Sequence, residues 1–394
     1  MSISCLVACT AAQPPAAVRP GIVVLLEDSS HLLEGRRVGL LTNHTGIDAE
    51  GRGDLERLLD AGAQVTAIFS PEHGYRGVLD LPEIGHGTDS ATGLPVFSLY
   101  GATREPTPEM LSSIDLLLVD LQDIGARPYT YASTMLLAMR ACATAGVQVL
   151  VLDRPNPIGG ELVQGPVLDL EHRSFVGMLA VPMRHGLTMG ELARLGLRRL
   201  DLATDLKVIP VSGWGRDEWF DQTGLPWVRP SPSMPNLESA SHYPGTVIFE
   251  ATNLSVGRGT PIAFQVIGAP WWDPAGIVAE VGDRPGVAMT DTTIVPVAPP
   301  DGKFADTAIP AVKFRVTDRQ AYDPVALAVT LLAVIQRRHP NQLEVSADRL
   351  ARLLGTADVW AELQTGASAA QIVSEWEKEL AGFRVDRRPS LLYE

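Results

Sequence analysis

The sequence predicts an α/β protein, a Rossmann-like, doubly wound parallel sheet with a second, smaller α+β domain. Three observations carry that reading. Short apolar runs recur between Arg37 and about Trp214: VGLLTN, VTAIFSPEH, PVFSLYG, LLLVDLQD, VQVLVLDRPN, VGMLAVPMRH and LKVIPVSGW. Several are nearly continuous in apolar residues, as strands buried on both faces require. Helical patterns such as 131–145 and 188–200 fall between them, and such alternation belongs to a parallel sheet. The character then changes over 215–245, where Pro226, Pro230, Pro232, Pro235 and Pro244 stand among Trp, Ser and Asn. That stretch reads as a crossover into a second unit.

In the second unit GTVIFEATNLS, FQVIGAPW and VKFRVTDR read as strands, followed by helices near 323–338, 346–354 and 369–381. The expected division is a leader or tether at 1–20, a Rossmann-like domain at 21–228 and an α+β domain at 229–394 that closes a cleft. Helix starts are marked by Thr107 before Pro108 and Glu109, by a T-x-x-E box at Thr188 and Glu191, and by Ser368 with Gln371.

Composition narrows the function. Net charge is −14, so a general affinity for nucleic acid or anionic lipid is excluded and an anionic ligand needs a local basic pocket. No apolar run is long enough to cross a membrane. Cys5, Cys9 and Cys142 show no metal-ligand spacing, and Cys142 reads as a small buried residue of an Ala-rich helix. Leu6-Val7-Ala8-Cys9 looks like a bacterial lipobox, which would make Cys9 a lipid anchor and the protein extracytoplasmic. The basic and apolar regions of a full signal are missing, so a disordered cytoplasmic leader is the competing reading.

Candidate site residues cluster where apolar runs break into polar ones, because the carboxyl ends of parallel strands form the crevice of an open α/β sheet. Asn43 ends the first run. Glu72 ends the second, between Pro71 and His73-Gly74, where a turn can aim a carboxylate into the crevice; a solvated turn carboxylate is the bland alternative. His73 is more often a satisfied structural histidine. Asp120, Gln122 and Asp123 end the fourth run, where period-2 alternation sends Asp120 and Gln122 to one face and Asp123 to the other. One acid can face the site while the other caps a turn or pairs with Arg127. Tyr129 and Tyr131 offer rings or hydroxyls to a sugar, or pack. Asp153 and Asn156 suit hydroxyls or an amide, or cap the proline-stiffened turn of D-R-P-N-P. His185 precedes the Thr188 cap and can reach the same crevice. In the second unit Glu250, Asn253 and Arg258 share a dense polar segment, with Arg258 bracketed by Gly257 and Gly259 so that backbone can approach a ligand.

No G-x-G-x-x-G follows the first strand and no P-loop occurs, so a nucleotide cofactor is not expected. His44, His73, His86 and His185 form no recognisable metal set, and no G-x-S-x-G elbow is present. Carboxylate chemistry without a cofactor or metal remains.

Taken in order, G-L-L-T-N-H-T-G, S-P-E-H-G-Y-R-G, T-G-L-P-V-F-S-L-Y-G, D-L-Q-D-I-G-A-R-P-Y-T-Y, D-R-P-N-P-I-G-G, S-F-V-G-M with H-G-L-T-M-G-E-L, and F-E-A-T-N-L-S-V-G-R-G-T resemble the exo-β-N-acetylmuramidase family from about residue 35 to 320. Pro128 departs from the family pattern, where an aromatic residue is expected. The resemblance implies an exo-acting glycoside hydrolase that removes N-acetylmuramic acid from the non-reducing ends of peptidoglycan fragments. It implies glutamate catalysis without a cofactor in a cleft between the domains, and Glu72 is the position carried over first. Two carboxyl groups are needed, one to protonate the leaving oxygen and one to attack or to activate water. Glu72 is the expected acid/base, with Glu250 as leading partner and Asp120 and Asp123 behind it. The lactyl carboxylate of muramic acid calls for a basic donor, for which Arg127, Arg258 and His185 are candidates. A wall-glycan binding lipoprotein without turnover and a hexosaminidase are the alternatives.

Overall fold

The structure, a computed structural model, describes residues 17–394. Most of the expected leader, Cys9 included, lies outside the described residues. The strands of the first domain are β1 (Arg37–Thr42), β2 (Gln64–Ser70), β3 (Gly87–Thr88), β4 (Pro95–Ser98), β5 (Leu116–Asp120), β6 (Gln148–Leu152), β7 (Gln164–Val167), β8 (Pro182–Arg184) and β9 (Leu206–Ile209). A seven-stranded sheet runs β3-β4-β2-β1-β5-β6-β9. Its neighbours are parallel, except β3 with β4.

Burial on both faces explains the near-continuous apolar runs. Along β5, Leu116 and Leu118 pack with Ile22, Leu25, Leu55 and Leu58 on one face, while Leu117 and Val119 join Met135, Leu136 and Leu192 on the other. The first face is covered by the Gly21–Asp28 and Asp54–Asp60 helices, the second by Tyr131–Ala145 and Met189–Arg199. This is the doubly wound α/β sheet. From β1 the chain builds outward to β2 and β4, then returns to place β5, β6 and β9 on the other side. The order therefore reverses between β1 and β5, where their carboxyl ends open a crevice.

Two expected strands take other forms. The VGMLAVPMRH run yields only β8, which pairs antiparallel with β7 outside the main sheet. The GTVIFEATNLS run is not a strand. Asn236 accepts from Ser239 N at 3.0 Å, starting a helix over Leu237–Thr246 that continues as a 3₁₀ turn over Val247–Ala251. A short apolar run has no period of its own, and the upstream cap decided it. The other caps form as read: Thr107 and Thr188 accept from the backbone of Met110 and Glu191, and Ser368 with Gln371 closes a capping box.

The second domain carries β10 (Val266–Gly268), β11 (Val287–Ile294) and β12 (Ile309–Val316), antiparallel in the order β10-β12-β11. Its helices Pro324–Arg338, Ala347–Leu354 and Ala369–Asp386 share one hydrophobic cluster with the first domain. The chain end returns to the first domain. Tyr393 donates its hydroxyl to Asp153 Oδ2 at 2.6 Å and accepts from Val211 N at 2.9 Å. Tyr393→Phe leaves Asp153 short of one donor in a buried setting, so we expect a loss of about 1–3 kcal/mol in urea unfolding; an unchanged midpoint would show the tail contact to be dispensable.

Candidate active site

Glu72 follows β2. The chain turns there through left-handed backbone at His73 (φ 71°) and Gly74 (φ 74°). The turn is held by a reciprocal contact: His73 Nδ1 lies 2.8 Å from Leu79 O, and Leu79 N donates to His73 O at 3.2 Å. His73 thus shapes the loop that aims Glu72. The Glu72 carboxylate is half-buried, and its Oε2 accepts from Thr130 Oγ1 at 2.5 Å. Thr130 stands at the N-terminus of the Tyr131–Ala145 helix, so the β5 side of the crevice fixes a carboxylate delivered by β2. Tyr100, just after β4, lies beside Glu72. Burial first, and then the Glu72 charge, push its phenol well above the ordinary value.

The β5 acids separate into two roles. Asp120 is fully buried and makes a two-pronged pair with Arg154, Nε to Oδ1 and Nη2 to Oδ2 at 3.0 Å, which commits it to structure. Asp123 accepts from Gly125 N at 2.7 Å through Oδ2, while its buried Oδ1 meets no donor among the described residues. Burial pushes its carboxyl up to about 7.

Several other candidates are committed to main chain. Arg127 donates to the carbonyls of Pro166, Val181 and Leu353 at 3.0, 2.8 and 3.0 Å, and burial lowers its guanidinium to about 9. It ties the domains together, with both Nη atoms committed to main chain. His185 accepts from Leu187 N at 3.1 Å, which puts its proton on Nε2, 3.8 Å from Asp123 Oδ2. Burial, with the charges of Arg387, Arg127 and Arg184, lowers it to about 3, so it is neutral and cannot supply the cation. Asp153 is saturated by Thr188 Oγ1, Tyr393 Oη, Arg154 N and Gly190 N. Asn156 caps its turn through Ile158 N and Leu187 O. Asn43 is buried against Thr45 and donates to Tyr131 Oη at 2.8 Å. Tyr131 and Tyr243 both present edge-to-face rings to Tyr129, at 4.9 and 5.9 Å, so these faces pack on each other.

The opposite wall comes from the second domain. Glu250 Oε1 accepts from Arg258 Nε at 2.5 Å, and Arg349 Nη2 lies 3.9 Å from Oε2. Burial opposes the charge on Arg258, but Glu250 prevails and holds the guanidinium above its ordinary value. Asn253 instead bridges to Gln342 O and Glu344 N. Glu250, Arg258, Lys303 and Arg349 face Asp80 and Tyr100 of the first domain across a cleft of ≈ 440 Å³. Tyr100 links the two halves, lining this cleft while lying beside Glu72. A groove of ≈ 420 Å³ between β7 and the C-terminal helices contains none of these side chains. Among the described residues no cluster of His, Cys, Asp or Glu has the geometry to hold a metal.

The family models described as exo-β-N-acetylmuramidase NamZ, N-terminal and C-terminal, match residues 38–238 and 241–393. The chain belongs to the exo-β-N-acetylmuramidase family. It is 38% identical over 381 residues to the peptidoglycan β-N-acetylmuramidase NamZ of Bacillus subtilis strain 168, covering 95% of this chain and 91% of that protein. Two crystal structures of DUF1343 family proteins from Bacteroides fragilis NCTC 9343 have the same fold. One gives a TM-score of 0.89 at 33% identity over 97% of this chain and all of that one; the other gives 0.77 at 30% over 96% and 99%.

Sequence reasoning missed Thr130, Tyr100, Lys303 and Arg349. Thr130 and Tyr100 sat inside motifs already noted, T-Y after A-R-P-Y and L-Y-G after the third run. Lys303 and Arg349 carried no local signal.

Asp123 gives a pH signature. Its carboxyl keeps a proton to about 7 in the folded state but only to about 4 unfolded. Its contribution is therefore complete below about pH 4 and lost as pH rises through 7, at up to about 1.4 kcal/mol per unit. Asp153, raised to about 6, acts in the same direction up to that pH. Asp123→Asn is expected to flatten the fall in stability between pH 6 and 7, followed by urea unfolding; an identical slope in the variant would remove Asp123 as its source.

Proposed function

We propose that this chain, as an exo-β-N-acetylmuramidase, removes N-acetylmuramic acid from the non-reducing ends of peptidoglycan fragments, with Glu72 and Glu250 sharing the chemistry across the cleft. The supporting observations are that Glu250 lines the cleft, that Glu72 lies beside Tyr100 of its opposite wall, and that both carboxylates act on the buried Tyr243 phenol, in a chain matched along nearly its whole length by this family.

Glu72 is the acid/base. Thr130 engages Oε2 and the Tyr100 phenol bonds the same carboxylate, so these two hydroxyls orient Glu72 to pass a proton to the glycosidic oxygen. Glu250 is the second carboxylate. Arg258 fixes its orientation through Oε1, leaving Oε2 to attack the anomeric carbon or to activate water. A separation of about 5–5.5 Å in the substrate complex corresponds to retention and about 6.5–9.5 Å to inversion. Tyr100 supplies the aromatic wall, since the rings of Tyr129, Tyr131 and Tyr243 pack on one another.

A wall-glycan substrate fits an extracytoplasmic enzyme anchored through Cys9, and Cys9→Ser should then lose metabolic lipid labelling. Equal labelling of the variant would reject the anchor.

The test of catalysis is release of 4-nitrophenol from 4-nitrophenyl β-N-acetylmuramic acid and its glucosamine analogue. Glu72→Gln and Glu250→Gln are each expected to lower kcat/KM on the muramic substrate by at least about 10²–10⁴-fold while remaining folded. Wild-type rates in folded Glu72→Gln would move the acid/base to another carboxylate. Faster turnover of the glucosamine compound by wild type would make the enzyme a hexosaminidase.

A further inference from the structure

The cations of the cleft are not equivalent. Arg258 is held by Glu250 at 2.5 Å, flanked by Asp80 at 3.7 Å and laid over the Phe264 ring at 5.1 Å from its centroid. Its contacts are those of a group that orients Glu250. Lys303 is different. Its ammonium has three donors, and among the described residues the single bond it makes is to Leu254 O at 2.8 Å. The side chain is half-buried at the cleft wall, and burial lowers its pKa, a shift that the charges of Asp301 and Glu250 only partly offset. An anion bound beside it would restore what burial removes. Arg349, on the Ala347–Leu354 helix, lines the same wall with its side chain 53% exposed.

The loop that carries Lys303 is built at the expense of backbone comfort. Between β11 and β12, Ala298, Phe304 and Asp306 all adopt left-handed φ values of 44°, 54° and 55°. Non-glycine residues persist there only where their surroundings over-determine them, commonly at ligand sites. Here Val297 N donates to Gly259 O at 3.0 Å, Asp306 N to Pro296 O at 2.8 Å and Gly302 N to Pro299 O at 2.9 Å. Gly259 itself is required by this docking, because an added Cβ would come within 2.6 Å of Val297 O. The second glycine of the G-R-G segment therefore seats the 295–308 loop; its role is loop docking, where the sequence suggested close approach of backbone to a ligand.

We propose that Lys303, presented by this docked loop and assisted by Arg349, reads the carboxylate of the substrate sugar, while Arg258 positions Glu250. The inference rests on the muramidase reading above and adds the residue that separates a carboxylated amino sugar from its uncharged counterpart.

Binding tests it without relying on turnover. The affinities of N-acetylmuramic acid and N-acetylglucosamine for the full chain would be measured by calorimetry in wild type, Lys303→Met, Lys303→Arg and Arg349→Ala. Wild type should prefer the muramic sugar. Lys303→Met should shrink that preference about 10–100-fold, the effect of one charge-assisted hydrogen bond, with Lys303→Arg keeping most of it and Arg349→Ala losing less than Lys303→Met. The lysine-to-arginine variant retains a cation on the same loop, so it reports on charge even if Lys303→Met misfolds. A preference undiminished in Lys303→Met, an equal loss in Lys303→Arg, or no preference in wild type would each overturn the assignment. Failure of the muramidase reading shows separately, as absence of 4-nitrophenol release by wild type.

Discussion

The paired charges of Asp120 and Arg154 are the constraint on which the crevice depends. A parallel sheet buried on both faces delivers its strand ends into a medium of low effective dielectric, and this chain places acids at several of them. An isolated buried carboxylate is strongly penalised, so each must be paired, saturated or protonated. Arg154 answers Asp120 with both prongs of its guanidinium, and does so beside Asp54, a second fully buried acid that hydrogen-bonds Thr42. Asp153 is saturated by four donors. Glu191 pairs with Arg216 at 2.5 Å while closing the Thr188 capping box. With these satisfied, Glu72 is met by the hydroxyls of Thr130 and Tyr100, and Asp123 has an oxygen with no partner among the described residues.

A second set of buried charges fixes the two walls of the cleft. Arg127 and Arg387 meet main-chain carbonyls instead of carboxylates: Arg127 reaches Leu353 O from the first domain, and Arg387 returns from the chain end to Gly160 O and Gly186 O at 3.1 and 3.0 Å. Burial lowers them to about 9 and about 10, which still leaves both protonated near neutrality. Donors of this kind, together with a hydrophobic cluster running through both domains, hold Glu250 in register with Glu72 before any sugar arrives. The proposed catalytic pair, divided between two domains, needs that rigidity, because an error of an ångström in the second carboxylate lowers the rate steeply.

What could be read from the sequence was local. The apolar runs, the Thr188 and Ser368 caps and the position of Glu72 at a strand end follow from periodicity and from the geometry of parallel sheets. What could not be read was partnership at long range. Arg127 stands two residues before Tyr129 and looks like a ligand, yet both its Nη atoms donate to carbonyls 39 to 226 residues away. Asp120 and Asp123 both end the β5 run, and nothing in the pattern says which is paired; Arg154, 34 residues on, folds back to Asp120. The 245–255 segment was ambiguous for a different reason: its apolar run is too short to declare a period, and the deciding cap lay upstream at Asn236.

The overall charge and the substrate pull in opposite directions. A chain of net charge −14 repels an anionic sugar at long range, so long-range steering cannot be how such a substrate is gathered. Selection must act at contact distance, inside the screening length and out of bulk water. The cleft is arranged for that. Arg258, Lys303 and Arg349 stand against Asp80, Glu250 and Asp301 along one lining, so the empty cleft is close to neutral. In such a balance the Glu250–Arg258 pair is poor evidence of stability, because desolvation offsets much of the attraction, and better evidence of positioning. The cation that adds discrimination is then the one whose charge is not already answered at close range. Lys303 fits that condition: its hydrogen bond goes to a neutral carbonyl, and burial acts against its charge until an anion is beside it.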